Sequence, residues 1–63
     1  PTEAEVRAAA IQQYFIEMLL HGAAATLEQA EHDFDAALSS DERRIRMTNA
    51  RSVLAAVRSA VMA

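Results

Sequence analysis

The sequence has no cysteine, no lysine and no tryptophan, and only one glycine and one proline in 63 residues. Without cysteine there is no disulfide framework and no thiol nucleophile, and two histidines cannot complete a structural zinc site on their own. One glycine and one proline leave little material for the tight turns that a sheet of hairpins needs. The longest stretch without a charged residue, Met18 to Leu27, is interrupted by His21 and Gly22. It falls far short of the roughly 20 apolar residues of a membrane-spanning helix. No stretch combines a basic start, an apolar run and a small-residue cleavage site, so with the absent cysteines the expectation is a cytoplasmic protein.

Alanine is plentiful instead, with 15 in the chain, and alanine is the strongest helix former. All six basic residues are arginine, a composition that resembles bacterial proteins from GC-rich genomes. Residues 1–63 fit a single domain. At this size a fold buries only about 60% of its unfolded surface and needs reinforcement. With disulfides excluded and metals disfavoured, the reinforcement expected is a partner subunit.

Three helix starts have the same form. Thr2 with Glu5, Thr26 with Gln29, and Ser39 with Glu42 match the capping box, in which the hydroxyl accepts from the N3 amide and the N3 side chain reaches back. Gly22 suits a left-handed helix stop. The pattern predicts helices over 3–21, 27–38 and 40–62. A single bent helix spanning the last two is the alternative, and Ser39, Ser40, Asp41 and Glu42 favour a break, since serine competes for backbone hydrogen bonds and acids suit a helix N-terminus. The fold class expected is an all-α three-helix domain, a helix followed by an α-hairpin, assembling as a dimeric helical bundle.

Apolar positions suggest how the helices meet. Helix 2 shows one stripe, Leu27, Ala30, Phe34, Ala37 and Leu38, and helix 3 a heptad-like seam of Met47, Ala50, Leu54, Val57 and Val61. Helix 1 is apolar around most of its circumference. Ala4, Ala8, Ile11, Phe15, Met18 and Leu19 are expected to face the core, which leaves Val6, Ala9, Ile16 and Leu20 on an outward strip. The interface expected from these patterns comprises Val6, Ile16, Leu20, Met47, Leu54, Val57 and Val61. Met18, Met47 and Met62 are expected to fill the core rather than line a peptide groove.

Charge is split along the chain. Residues 1–42 hold nine acids and one arginine, a net of −8, and residues 43–63 hold five arginines and no acid. Arg44, Arg51 and Arg58, spaced by seven, form a ridge expected to pair with an acidic ridge of Glu28, Glu31 and Asp35, fixing orientation and partner choice more than stability. The sharper reading takes Arg43, Arg44, Arg46, Thr48, Asn49, Arg51 and Ser52 as a nucleic-acid surface. Overall negative charge, the absence of lysine and the lack of a glycine turn weigh against it.

No sequence motif points to catalysis, with neither a phosphate loop nor a nucleophile elbow present. Glu17 with His21, and Glu28 with His32, Asp33 and Asp35, could share a metal, but no established ligand spacing occurs, and solvated ion pairs are the simpler reading. Tyr14 reads as an amphipathic helix contact.

From Tyr14 onward the chain resembles the Hha/YmoA family of small helical modulators of nucleoid proteins, sharing Tyr14, Thr26-Leu27-Glu28, Leu38-Ser39, Glu42, Ala50 and Leu54-Ala55. It departs at Arg51, where that family resembles an acidic consensus. The resemblance implies binding to a nucleoid-associated protein. The residues themselves lead to the expectation of a non-enzymatic, self-associating interaction module, a small regulatory or adaptor/chaperone protein that binds itself and a larger protein, with no cofactor or small-molecule substrate. The alternative is a transcriptional or nucleoid regulator that contacts nucleic acid or a DNA-binding protein through the third helix.

Overall fold

The structure is a computed structural model, and it describes residues 1–62. Among these, the chain forms three helices and no strand: α1 (Glu3–Leu20), α2 (Leu27–Ala36) and α3 (Ser40–Met62). The first two capping boxes close fully, with Glu5 N–H donating to Thr2 Oγ1 at 3.1 Å and Gln29 N–H to Thr26 Oγ1 at 3.2 Å. At the third, Glu42 N–H donates to Ser39 Oγ, and the Ser39 hydroxyl donates to Glu42 Oε1. Gly22 adopts φ +85 and ends α1 in a Schellman pattern: Gly22 N–H donates to Leu19 O and Ala23 N–H to Met18 O.

The break before α3 is stabilised by Arg43. Its Nη1 donates to Leu38 O at 2.6 Å, in the link after α2, and to Asp35 O at 3.0 Å, a last-turn carbonyl of α2 that has no intrahelical partner. Helix α2 stops at Ala36, two residues before the expected Leu38.

Packing runs through α1, which contacts both α2 and α3, while α2 and α3 scarcely touch. The expected pairing of the last two helices as a hairpin therefore does not organise this fold. Their apolar stripes converge on α1 instead, in a cluster of Val6, Ala10, Ile11, Phe34 and Ala50, with Ala9, Tyr14, Leu38, Met47 and Leu54 packed around it. Ion pairs give the direction of α3. Glu5 and Glu17 are twelve residues apart on α1, and their partners Arg58 and Arg46 are twelve apart in the opposite order, so α3 runs antiparallel to α1.

The orientation of α1 differs from the expected one. Ala4, Ala8 and Leu19 are exposed, whereas Val6, placed on the outward strip by the sequence pattern, is fully buried. The cause is in the neighbours. Phe34 lies between Arg7, whose guanidinium carbon is 5.7 Å from the ring centroid, and Tyr14, whose ring meets it edge-on at 6.3 Å. Arg7 also clasps Asp35 through two hydrogen bonds of 2.9 and 2.7 Å. These contacts turn the Val6–Ala10–Tyr14 face inward, a choice that a helix apolar on all sides does not make alone.

The result is elongated, 39 × 22 × 16 Å, with a radius of gyration of 12.4 Å against about 10.6 Å for a compact domain of this length. The accessible surface is 4416 Å², compared with about 4000 Å² for a compact monomer of equal mass.

Candidate interaction surface

Large apolar side chains remain outside on all three helices, among them Leu27 on α2 and Ile45, Val53 and Met62 on α3. On α1, Ile16 and Leu20 are 46% and 79% exposed, with Leu19 beside them. They occupy i, i+3 and i+4 positions, so they form one patch on the helix. On α3 the seam divides. Met47 and Leu54 are half-buried against the core and Ala50 is fully buried, but Val57 and Val61 are 53% and 81% exposed. Residues 1–5 of the chain, which lie toward that end, are Pro, Thr, Glu, Ala and Glu and offer no large apolar group to cover them. Of the interface residues read from the sequence, Ile16, Leu20, Val57 and Val61 are thus available to a partner, Met47 and Leu54 partly so, and Val6 not at all. Of the methionines, Met47 packs on the core and Met18 is half-buried, whereas Met62 is exposed.

The arginine ridge exists, but its partners are not those of the sequence reading. Arg51 Nη2 meets Glu3 Oε1 at 2.7 Å and Arg58 Nη2 meets Glu5 Oε2 at 2.6 Å, both in the first turn of α1. Arg44 meets Asp41 within its own helix at 3.3 Å, while Asp35, from the expected acidic ridge, is held by Arg7. Arg46 pairs with Glu17 at 2.6 Å and lies over the Tyr14 ring at 5.0 Å. The sequence reading missed Glu3, Glu5 and Glu17 because the first two explain themselves as first-turn acids and Glu17 was set beside His21. No spacing in the sequence marked them, since Glu3 and Glu5 are two residues apart and so point to different sides of α1.

Glu5 shows both roles together. Its carboxylate accepts from the Thr2 backbone N–H and then from Arg58, and these bonds lower its pKa from the ordinary 4.5 to about 2. The Arg7 guanidinium likewise lowers the pKa of Asp35. Of the acids on α2, Glu28, Glu31 and Asp33 have no ion-pair partner among the described residues.

One shallow, open cleft of about 260 Å³ is lined by Glu17, Glu42, Ile45, Arg46 and Asn49. It contains no nucleophile; Arg46 pairs with Glu17, and Glu42 is left without an ion-pair partner among the described residues. Among the described residues no three metal-ligating side chains gather, and no helix is long and apolar enough to cross a membrane. No family model, no curated protein and no solved structure matches this chain, the Hha/YmoA family included.

Proposed function

We propose that this protein is a non-enzymatic interaction module that associates with a second copy of itself, and that a regulatory or adaptor role rests on that assembly. The observation that carries this reading is the apolar surface left uncovered on α1 and α3. Complete burial of a valine, leucine or isoleucine is worth about 1.5–3 kcal/mol, so covering the half-exposed members of these patches gains on the order of 1 kcal/mol each. Several together supply what a 63-residue core lacks. The extended shape supports the same reading, because the surface in excess of a compact monomer is of the kind an interface removes.

The nucleic-acid alternative draws less support. Four α3 arginines are engaged by carboxylates and Arg43 by the Asp35 and Leu38 carbonyls, so a phosphate would have to displace partners already in place. Solution mass by light scattering over a concentration series tests the proposal. A dimer or higher oligomer whose population rises with concentration is expected, and a monomer at every concentration overturns it.

A further inference from the structure

Neither glycine nor proline occurs between Ala23 and Ala63, so no residue there forbids a continuous helix. The break between α2 and α3 is only Ala37 to Ser39. Its backbone is barely diverted: Ala37 keeps right-handed helical torsions, and its N–H still donates to Asp33 O at 2.8 Å. Two side chains stand in for the missing turn. A continuous helix would pair Ser39 N–H with Asp35 O and Glu42 N–H with Leu38 O, each four residues back. Arg43 occupies both of those carbonyls, at 3.0 and 2.6 Å, and the Ser39 hydroxyl occupies the Glu42 amide at 3.1 Å. The bond from Glu42 to Leu38 is thus blocked at both ends. Little else resists straightening, because α2 and α3 scarcely touch. Leu38, which packs on the core, lies four residues beyond Phe34 and stays on the same side of a continuous helix.

We propose that residues Ala37 to Ser39 are a hinge, and that α2 and α3 join into one helix as α3 is exchanged onto α1 of a second copy. Exchange follows from the geometry of the core. Phe34 and Ala50 now share one cluster with Val6, Ala10 and Ile11. In a straight helix they stand about 24 Å apart, whereas Val6 to Ile11 covers only about 8 Å. A straightened chain can therefore keep Phe34 on its own α1 but must withdraw Ala50. The face of α1 so vacated has an occupant that the fold itself displays, an α3 whose Ala50 joins Val6 and Ala10 and whose Arg46 and Arg51 meet Glu17 and Glu3. Two straightened chains supply these contacts to each other reciprocally, and a second copy is the partner that carries them without any new surface. This exchange goes beyond the self-association reading and needs none of its outward patches, since association through those patches leaves each chain folded as described.

Two charge-reversed chains detect the exchange. Glu3→Arg/Glu17→Arg and Arg46→Glu/Arg51→Glu each set like charges together between α1 and α3 of the same chain. In an exchanged pair made of one of each, every α1 meets an α3 of opposite sign. Mixing them is expected to give heterodimers at least about tenfold in excess of either homodimer, as read by native mass spectrometry. Adding Ser40→Pro to both chains is expected to cut the heterodimer at least about tenfold, because proline suits the first residue of α3 but breaks a helix running through it. If the reversed chains are unfolded alone, recovery of helical circular dichroism on mixing reads the same outcome. Statistical proportions, or no heterodimer and no recovery, overturn the exchange, and a heterodimer indifferent to Ser40→Pro overturns the hinge. A wild-type dimer that survives Ser40→Pro and dissociates in Ile16→Glu/Leu20→Glu, with no heterodimer on mixing, keeps the self-association reading and overturns the exchange. Heterodimers on mixing, from a wild-type chain monomeric at every concentration, do the reverse.

Discussion

At Arg43 one guanidinium holds two main-chain oxygens, Leu38 O and Asp35 O, which would otherwise lack a donor at the end of a ten-residue helix. Arg43→Ala is expected to lower unfolding free energy by about 1–2 kcal/mol, since hydrogen bonds from a charged donor are the stronger kind and an orphaned carbonyl is costly. Chemical denaturation measures this, and no change would mean that water replaces the side chain. Glu5 supports a prediction about pH. Its folded-state pKa of about 2 lies below the ordinary 4.5, so its contribution is fully present above the unfolded value and is lost as pH falls toward 2. Asp35, lowered by Arg7, acts in the same direction. The thermal midpoint should fall between pH 5 and pH 2, and Glu5→Gln, which keeps an oxygen for the cap but has no charge to titrate, should flatten part of that slope. An unchanged slope would show that Glu5 titrates equally in folded and unfolded chains.

At the scale of elements, small residues decide how closely α3 approaches the core. Ala50 is fully buried in the cluster with Val6 and Ala10, whereas Ala55 is exposed. Ala50→Leu should therefore destabilise by about 1–3 kcal/mol through overpacking, and Ala55→Leu should be near neutral by the same denaturation measurement. Equal effects would place the α1–α3 contact elsewhere. Helix existence and most boundaries were legible in the sequence because caps and a left-handed glycine are local chemistry, read from four or five neighbouring residues. The inward half of the α3 seam was legible too, since only one stripe there combines Met47, Ala50 and Leu54. The facing of α1 was not, because Val6, Ala8, Ala9 and Ala10 offer equal reasons to turn several ways, and the choice is made by Phe34, Asp35 and Arg46 on other helices. The candidate surface was half legible for the same reason. Ile16 and Leu20 stood out as surplus on α1, while Val57 and Val61 separated from the inward half of their seam only once Met47, Ala50 and Leu54 had been seated on the core.

For the whole molecule, the charge split becomes an internal clasp. The acidic first part of the chain and the basic last part meet through Glu3, Glu5 and Glu17 on one side and Arg51, Arg58 and Arg46 on the other. Exposed pairs contribute only about 0–1 kcal/mol each, so their larger effect is on direction: α3 reversed against α1 would set its acidic start, Asp41 and Glu42, beside Glu3 and Glu5. The clasp also changes what the molecule presents to others. The arginine-rich helix looks cationic in sequence, yet the unpaired charges that remain are chiefly the carboxylates of α2.

Because α1 is the common wall for both other helices, its two contacts form over very different lengths of chain. The turn from His21 to Thr26 brings α2 back onto α1 locally, whereas Glu3 and Glu5 find Arg51 and Arg58 only after about fifty intervening residues have been closed into a loop. Loop-closure entropy grows with that length, and non-local contacts are the slow ones to form. The docking of α3 is therefore the expected slow step of folding, and its arrival completes the core by bringing Ala50 against Val6 and Ala10.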